Sequence, residues 1–273
     1  MYLRKITIII TAIVMAAACV LCGCAPGVQT QEESDADLPV LTVGVDVYPP
    51  FNYADENGNP TGIDIELARE AFKRMGYKAV FESIDWEKKK SLVENGDIDC
   101  IWSCFSMDGR EDEYKWAGPY MISRQVVAVN EDSDIHKLSD LGGKIVAVQS
   151  TTKPEQLFLG ADGIRIPRLR ELYSVEDREL IYTMLGKGYV DAVAAHETSI
   201  RQYMKDYDVS YRILDESLLT TGIGVAFAIN DDRGLDSELS AVFRQMAEDG
   251  TTREILSRYV DNASDYLEVG DYE

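Results

Sequence analysis

Arg110 carries the most distinctive chemistry in this sequence, because a guanidinium fork grips a carboxylate through two parallel, charge-assisted hydrogen bonds. It has an ordinary alternative, a surface ion pair with neighbouring Glu111 or Asp112. Just upstream, Ser103, Cys104 and Ser106 close the apolar run 98–104, at the carboxyl end of a strand, where ligands gather in open α/β sheets. The Ser106 hydroxyl suits a carboxylate or an ammonium, whereas the Cys104 thiol is a weak hydrogen-bonding substitute that serves equally as cleft wall or core. Asp46 ends another apolar run, 41–46, where its carboxylate either receives a ligand side chain or caps a turn. Ser150, Thr151 and Thr152 precede a short helical stretch near Glu155, at positions where hydroxyl residues cap free amides. Cys100 and Cys104 are separated by roughly 13 Å if both lie on one strand, too far for a disulfide. With only two histidines in the chain they form no zinc pattern, so both read as buried free thiols, and no metal or cofactor is expected. G-x-S-x-G, H-E-x-x-H, P-loop and G-x-G-x-x-G motifs are all missing.

These residues need a scaffold, and the patterning supplies an α/β one. Strand 41–46 breaks at Pro49-Pro50, which cannot continue a ladder, and residues 55–62 are dense in turn formers. Ile63, Leu67, Ala71, Phe72 and Met75 then share one helical face, stopped by Gly76. A strand at 79–84, a helix at 87–94 and a strand at 98–104 follow, and such alternation indicates parallel βαβ units. A second series comprises strand 144–148, the short helix near Glu155, helix 175–185, strand 191–195 and helix 199–207. Residues 222–229 read as a buried strand. Two helices close the chain, the first lined by Leu235, Leu239, Val242, Phe243 and Met246, the second at 252–259. Trp102, inside an apolar strand, is expected in the core.

The formal charge of −21 argues against nucleic-acid binding, which needs a basic footprint. Arg4 and Lys5 precede an apolar run at 6–21, with no acidic residue before Glu32, as in an export signal. An uncleaved membrane anchor is the competing reading, although the run is short for one. Leu21-Cys22-Gly23-Cys24 resembles a bacterial lipobox. That likeness implies a signal at 1–23 and a lipid on Cys24, anchoring the chain to the outer face of the cytoplasmic membrane. Residues 24–38 read as a polar, acidic tether.

Gly62-Ile-Asp-Ile-Glu-Leu-Ala-Arg-Glu-Ala71 closely resembles the signature of the extracellular solute-binding proteins, family 3, which serve polar amino-acid ABC transporters. Phe72 departs from it, since a small residue is usual there. The blocks 46–51, 97–102, 106–110, 116–120, 144–152 and 188–197 fall in family order, so the likeness spans about 41–259. The resemblance implies a type II periplasmic-binding-protein-like flytrap of two α/β lobes with two hinge crossings, near 123–129 and 222–229. Lobe 1 would be discontinuous, 39–125 with 226–273, and lobe 2 would be 126–225. Its function would be to capture an extracellular amino acid and deliver it to an ABC permease, as a monomer and without catalysis. Within the site, the likeness makes Arg110 the carboxylate clamp, in a loop one residue shorter than the commoner form. Thr151 and Thr152 become an anion-facing turn, and Tyr48 and Trp86 the walls. Where many members have an ammonium-binding aspartate, five residues after Asp191, this chain has His196 followed by Glu197; either a neutral His196, accepting one hydrogen bond, or Glu197, supplying the charge, would receive the ammonium. Two rivals share the scaffold: a cyclohexadienyl dehydratase, which needs an acidic cleft residue, and a ligand-sensing receptor component.

Overall fold

The computed structural model describes residues 38–160 and 166–267; the expected signal, Cys24 and nearly all of the tether lie outside the described residues. The chain begins with β1 (Val40–Val45), the short pair β2 (Tyr53–Ala54) and β3 (Pro60–Thr61), and helix α1 (Ile63–Arg74). Next come β4 (Lys78–Ser83), a 3₁₀ turn at Trp86–Lys88, α2 (Lys89–Asn95), β5 (Cys100–Ser106) and β6 (Tyr114–Asn130). The second series holds β7 (Ile145–Gln149), α3 (Lys153–Phe158), β8 (Glu171–Val175), α4 (Arg178–Gly186), β9 (Ala192–His196) and α5 (Glu197–Tyr207). Strand β10 (Tyr211–Ala228) then leads to α6 (Leu235–Glu248) and α7 (Thr251–Leu256). No helix among the described residues is long and apolar enough to cross a membrane.

The main sheet has the order β4-β1-β5-β10-β6-β9-β7-β8. At one end β1 lies parallel between β4 and β5; at the other β7 lies parallel between β8 and β9. The two long strands β6 and β10 join these halves, pairing antiparallel from Tyr114 opposite Ala228 to Asn130 opposite Tyr211. Each half therefore forms a lobe, and β6 and β10 are the two hinge crossings. They run 17 and 18 residues, well beyond the apolar stretches legible at 123–129 and 222–229.

Each lobe buries apolar side chains on both faces of its part of the sheet, as parallel βαβ units require. In lobe 1, Cys100, Trp102 and Cys104 of β5 face α1 and α6, through Phe72, Leu239 and Phe243, while Ile101 and Phe105 face the Trp86 side. In lobe 2 the period-2 alternation of β6 sends Val127 and Val129 to one core and Val126 and Ala128 to the other. Trp102 is fully buried against Phe72 and Phe243, as its apolar context predicts. Strand β8 escaped the pattern reading because it is largely exposed and carries no apolar run.

One glycine is demanded by geometry. Gly62 caps α1 at φ 121°, and a Cβ there would lie 2.2 Å from the Phe51 carbonyl oxygen. That close approach lets the first amides of α1, from Ile63 and Asp64, donate to Pro50 and Phe51. Gly62→Ala is expected to destabilise the protein by about 2–3 kcal/mol, through strain and the lost turn. Urea unfolding checks this; a loss below about 0.5 kcal/mol, the level of an indifferent surface change, would show that the loop yields freely.

Candidate ligand-binding cleft

The carboxyl ends of β5, β7 and β9 converge beside the crossings around a small cavity. This is where open α/β sheets place ligands. Residues of both lobes line it, and β6 contributes Gln125 from the hinge itself.

On lobe 1, Arg110 is buried, with its Nη1 donating to the Ser106 carbonyl at 3.0 Å and its guanidinium 4.9 Å from the Phe105 ring centre. Its loop is short and pinned: Met107 donates to Gly222 of β10, and the Arg110 amide donates to Met107. Glu111 accepts from the Gly109 amide, and Arg110 is buried, where the ordinary alternative placed it at the surface. Ser106 accepts a 3.4 Å bond from the Gln125 amide. Ser103 supports the backbone instead, accepting from the Asp46 amide and from Asn52 at 3.1 Å each.

Cys104 sits at φ 46°, a left-handed conformation unusual for a residue with a side chain. Asp64 of α1 holds it there, accepting the Cys104 amide at 2.7 Å while also taking bonds from Tyr120 and Asn52. Burial, only partly offset by these three donors, raises the Asp64 carboxyl to about 6. The Cys104 thiol is pushed well up by burial and then by Asp64, so it makes a poor nucleophile. Cys100 is likewise a buried free thiol.

Trp86 packs edge-on against Phe105, their centres 5.3 Å apart, and its ring carries the Lys89 ammonium at 4.7 Å. Lys89 reaches across the cleft to the Thr151 hydroxyl at 2.9 Å. Burial, with Arg110 adding repulsion, lowers Lys89 to about 8. Tyr48 also spans the lobes: its hydroxyl accepts the His196 amide at 3.3 Å, and the Arg178 guanidinium stacks on its ring.

On lobe 2, Thr151 is left-handed at φ 55°, with its amide donating to Glu155. Thr152 occupies the N-cap of α3, but its hydroxyl donates back to the Gln149 carbonyl at 2.6 Å and caps no amide. Lys153 follows at once and donates across the cleft to the Asp108 carbonyl at 3.0 Å. Asp46 is engaged from lobe 2, accepting Gln149 at 3.0 Å and facing Arg178 at 3.4 Å, so it neither caps a turn nor lines the cavity.

His196 is buried between Ser123 and Gln125, each 2.8 Å from a ring nitrogen. With the Gln125 amide nitrogen donating to Nε2, the ring proton lies on Nδ1 and goes to Ser123. Burial, then the charges of Arg178 and Arg110, lowers His196 to about 3, so the ring is neutral. Glu197 points elsewhere: Arg124 and Arg201 hold its carboxylate outside the cavity lining.

Nine of the eleven residues picked out from sequence thus line the cavity, while Asp46 and Glu197 do not. Gln125, Gln149, Lys153 and Arg178 line it and were missed. A glutamine inside the apolar run 123–129 was a usable signal, because buried polar groups need partners. Nothing local distinguishes Arg178 from any charged first-turn residue. The assembled groups suit carboxylate capture by buried donors, with aromatic walls to exclude water.

Comparison with known proteins agrees with this geometry. Residues 41–262 match the family model of bacterial extracellular solute-binding proteins, family 3. The L-cystine-binding protein TcyA of Bacillus subtilis is 26% identical over 94% of this chain and 97% of its own length. The crystal structure of the substrate-binding protein of an amino acid ABC transporter superposes with a TM-score of 0.73 at 26% identity, covering 81% of this chain and 99% of that one. The ancestral amino acid-binding protein AncCDT-1, a precursor of cyclohexadienyl dehydratase, gives 0.72 at 25% identity, over 81% and 95%. The two lobes, their paired crossings and a match through nearly all of the described chain lead to one assignment: this chain belongs to family 3 of the bacterial extracellular solute-binding proteins.

Proposed function

We propose that this protein captures an amino acid in the cleft and presents the closed, ligand-filled form to an ABC permease. Buried Arg110, held at the meeting of two lobes that share hydrogen bonds across the cleft, is the observation that carries the reading. A ligand touching both lobes favours closure through its differential affinity for the closed state. The lobes divide as 39–125 with 226–273, and 126–225, with the monomer tethered outside the cell by lipid on Cys24. The protein is a binder and not an enzyme in this reading. A dehydratase needs an acidic residue in the cleft, and among the described residues lining the cavity there is no Asp or Glu.

The test is a thermal-shift panel on the full chain in detergent, freed of ligand by dialysis in mild denaturant and refolding. A ligand at one hundred times its Kd adds about 2.7 kcal/mol of stability, a shift of several degrees. A response confined to a few amino acids is expected. Folded protein that responds to none of the twenty would overturn the reading.

A further inference from the structure

Beside the cavity, a short segment of lobe 1 grips a two-residue turn of lobe 2. The Lys89 ammonium donates to the Thr151 hydroxyl at 2.9 Å, to the Thr151 carbonyl at 3.3 Å and to the Trp86 carbonyl at 3.1 Å. Its three N–H donors thus meet three acceptors, two of them on the other lobe. Next to this contact the Ser150 hydroxyl donates to the Glu87 carboxylate at 2.7 Å. Lys89 and Ser150 are both buried, and neither they nor Glu87 line the cavity. The lobes therefore meet here through side chains that stay out of the ligand's space. Thr151 itself is held at φ 55°, a left-handed backbone that a β-branched residue keeps only where its surroundings fix it. Glu155 of its own lobe takes its amide, whereas its carbonyl and hydroxyl are held by Lys89 from the other lobe. Opening the cleft parts Lys89 from both oxygens.

Building on the capture reading, we propose that Lys89 is a positioning residue of this cleft. With Glu87 it clasps the Ser150–Thr151 turn, draws the lobes together without touching ligand, and gives the turn its ligand-facing shape. The clasp raises the closed fraction of the empty protein. Apparent affinity scales with the binding-competent fraction, so the clasp strengthens every closed-state ligand by the same factor. Lys89 thus sets affinity and leaves selectivity to the residues that line the cavity.

Double electron–electron resonance on the refolded, ligand-free full chain tests this. Spin labels are carried on azidophenylalanine in place of exposed Glu94, at the end of α2, and exposed Leu159, just after α3. A short-distance, closed population is expected in the wild type. Lys89→Met should lower its closed-to-open ratio at least about fivefold, and Ser150→Ala about two- to threefold. Lys90→Met is the control, because the neighbouring ammonium pairs with Glu113 inside lobe 1 at 2.9 Å, and it should leave the ratio unchanged. A long-distance population alone in the wild type would overturn the proposal, as would a ratio in Lys89→Met within about twofold of wild type. Should Lys89→Met fail to fold, Ser150→Ala decides. No ligand enters this measurement, so its outcome is separate from that of the capture reading. Titration calorimetry adds a second readout: each amino acid that stabilises the wild type should lose the same factor in affinity in Lys89→Met. Losses differing more than about threefold among those amino acids would make Lys89 a ligand contact and overturn the positioning role.

Discussion

Arg110→Ala is expected to weaken ligand binding by at least about 100-fold, more than any other single change in the cleft. The cost arises because the ligand carboxylate would still be desolvated but would lose its bidentate partner, and truncating one side of a buried charged pair typically costs about 2–5 kcal/mol. Arg110 is prepared for this task before any ligand arrives. Its loop is pinned to β10 through Met107, its Nη1 is tied to the Ser106 carbonyl, and its guanidinium lies over the Phe105 ring. Little side-chain entropy therefore remains to be lost on binding. Arg110→Lys should recover only part of the loss, since an ammonium cannot form the fork. Titration calorimetry reads both variants, with near-UV circular dichroism as the folding control. Affinity retained within threefold in folded Arg110→Ala would remove the clamp from the mechanism.

The second large effect is a pair of opposed pH dependences concealed in the wild type. His196 is lowered to about 3 in the fold by burial and by Arg178 and Arg110, against 6.5 when unfolded. As pH falls below 6.5 the unfolded chain takes up a proton that the folded chain refuses, so stability is lost on the acid side. Asp64 is raised to about 6 by burial, against 3.8 unfolded. As pH rises from 3.8 toward 6 the unfolded chain releases a proton that the folded chain keeps, so stability is lost in the other direction. Between pH 4 and 6 each group changes stability by roughly 2–3 kcal/mol, with opposite signs, and the two nearly cancel.

Single substitutions should separate them. Relative to wild type, His196→Gln should gain roughly 2–3 kcal/mol as pH is lowered from 6 to 4, and Asp64→Asn should lose a similar amount over the same interval. Urea unfolding at three pH values measures both differences. Parallel pH profiles for all three proteins would show that neither group is held as its surroundings dictate. Asp64 also links stability to the site, because its carboxylate fixes the left-handed Cys104 at the cavity wall. Ligand affinity of Asp64→Asn is accordingly a second readout of the same contact.

Most of the scaffold was legible because it rests on local, periodic features. The apolar face Ile63, Leu67, Ala71, Phe72 of α1, the buried runs of β1, β5 and β9, and the closing helices all declare themselves through spacing. The chemistry of Arg110 was legible too, since guanidinium chemistry and its position after a strand end point the same way. The hinge strands were only half visible. Glycines and Pro119 interrupt the apolar pattern of β6 and β10, and the outer part of β10 alternates exposed and buried residues that no core run marks. Their continuity comes from pairing with each other, which is a non-local property.

What the amino-acid sequence determined by itself was therefore the α/β class, most of the elements in their order, and the family; it also singled out Arg110, the proposed carboxylate clamp. The tertiary structure alone decided which further polar side chains line the cleft. Arg178 and Lys153 are polar first-turn residues like many others until the two lobes meet and bury them facing the same space. Asp46 and Glu197, by contrast, stay out of the lining: one faces Arg178 from outside the cavity and the other is held by Arg124 and Arg201. Burial and ion pairing join residues distant in the chain, and they set both protonation and free hydrogen-bonding capacity. For that reason the full set of residues lining the cleft follows from the folded arrangement and from no local pattern of residues.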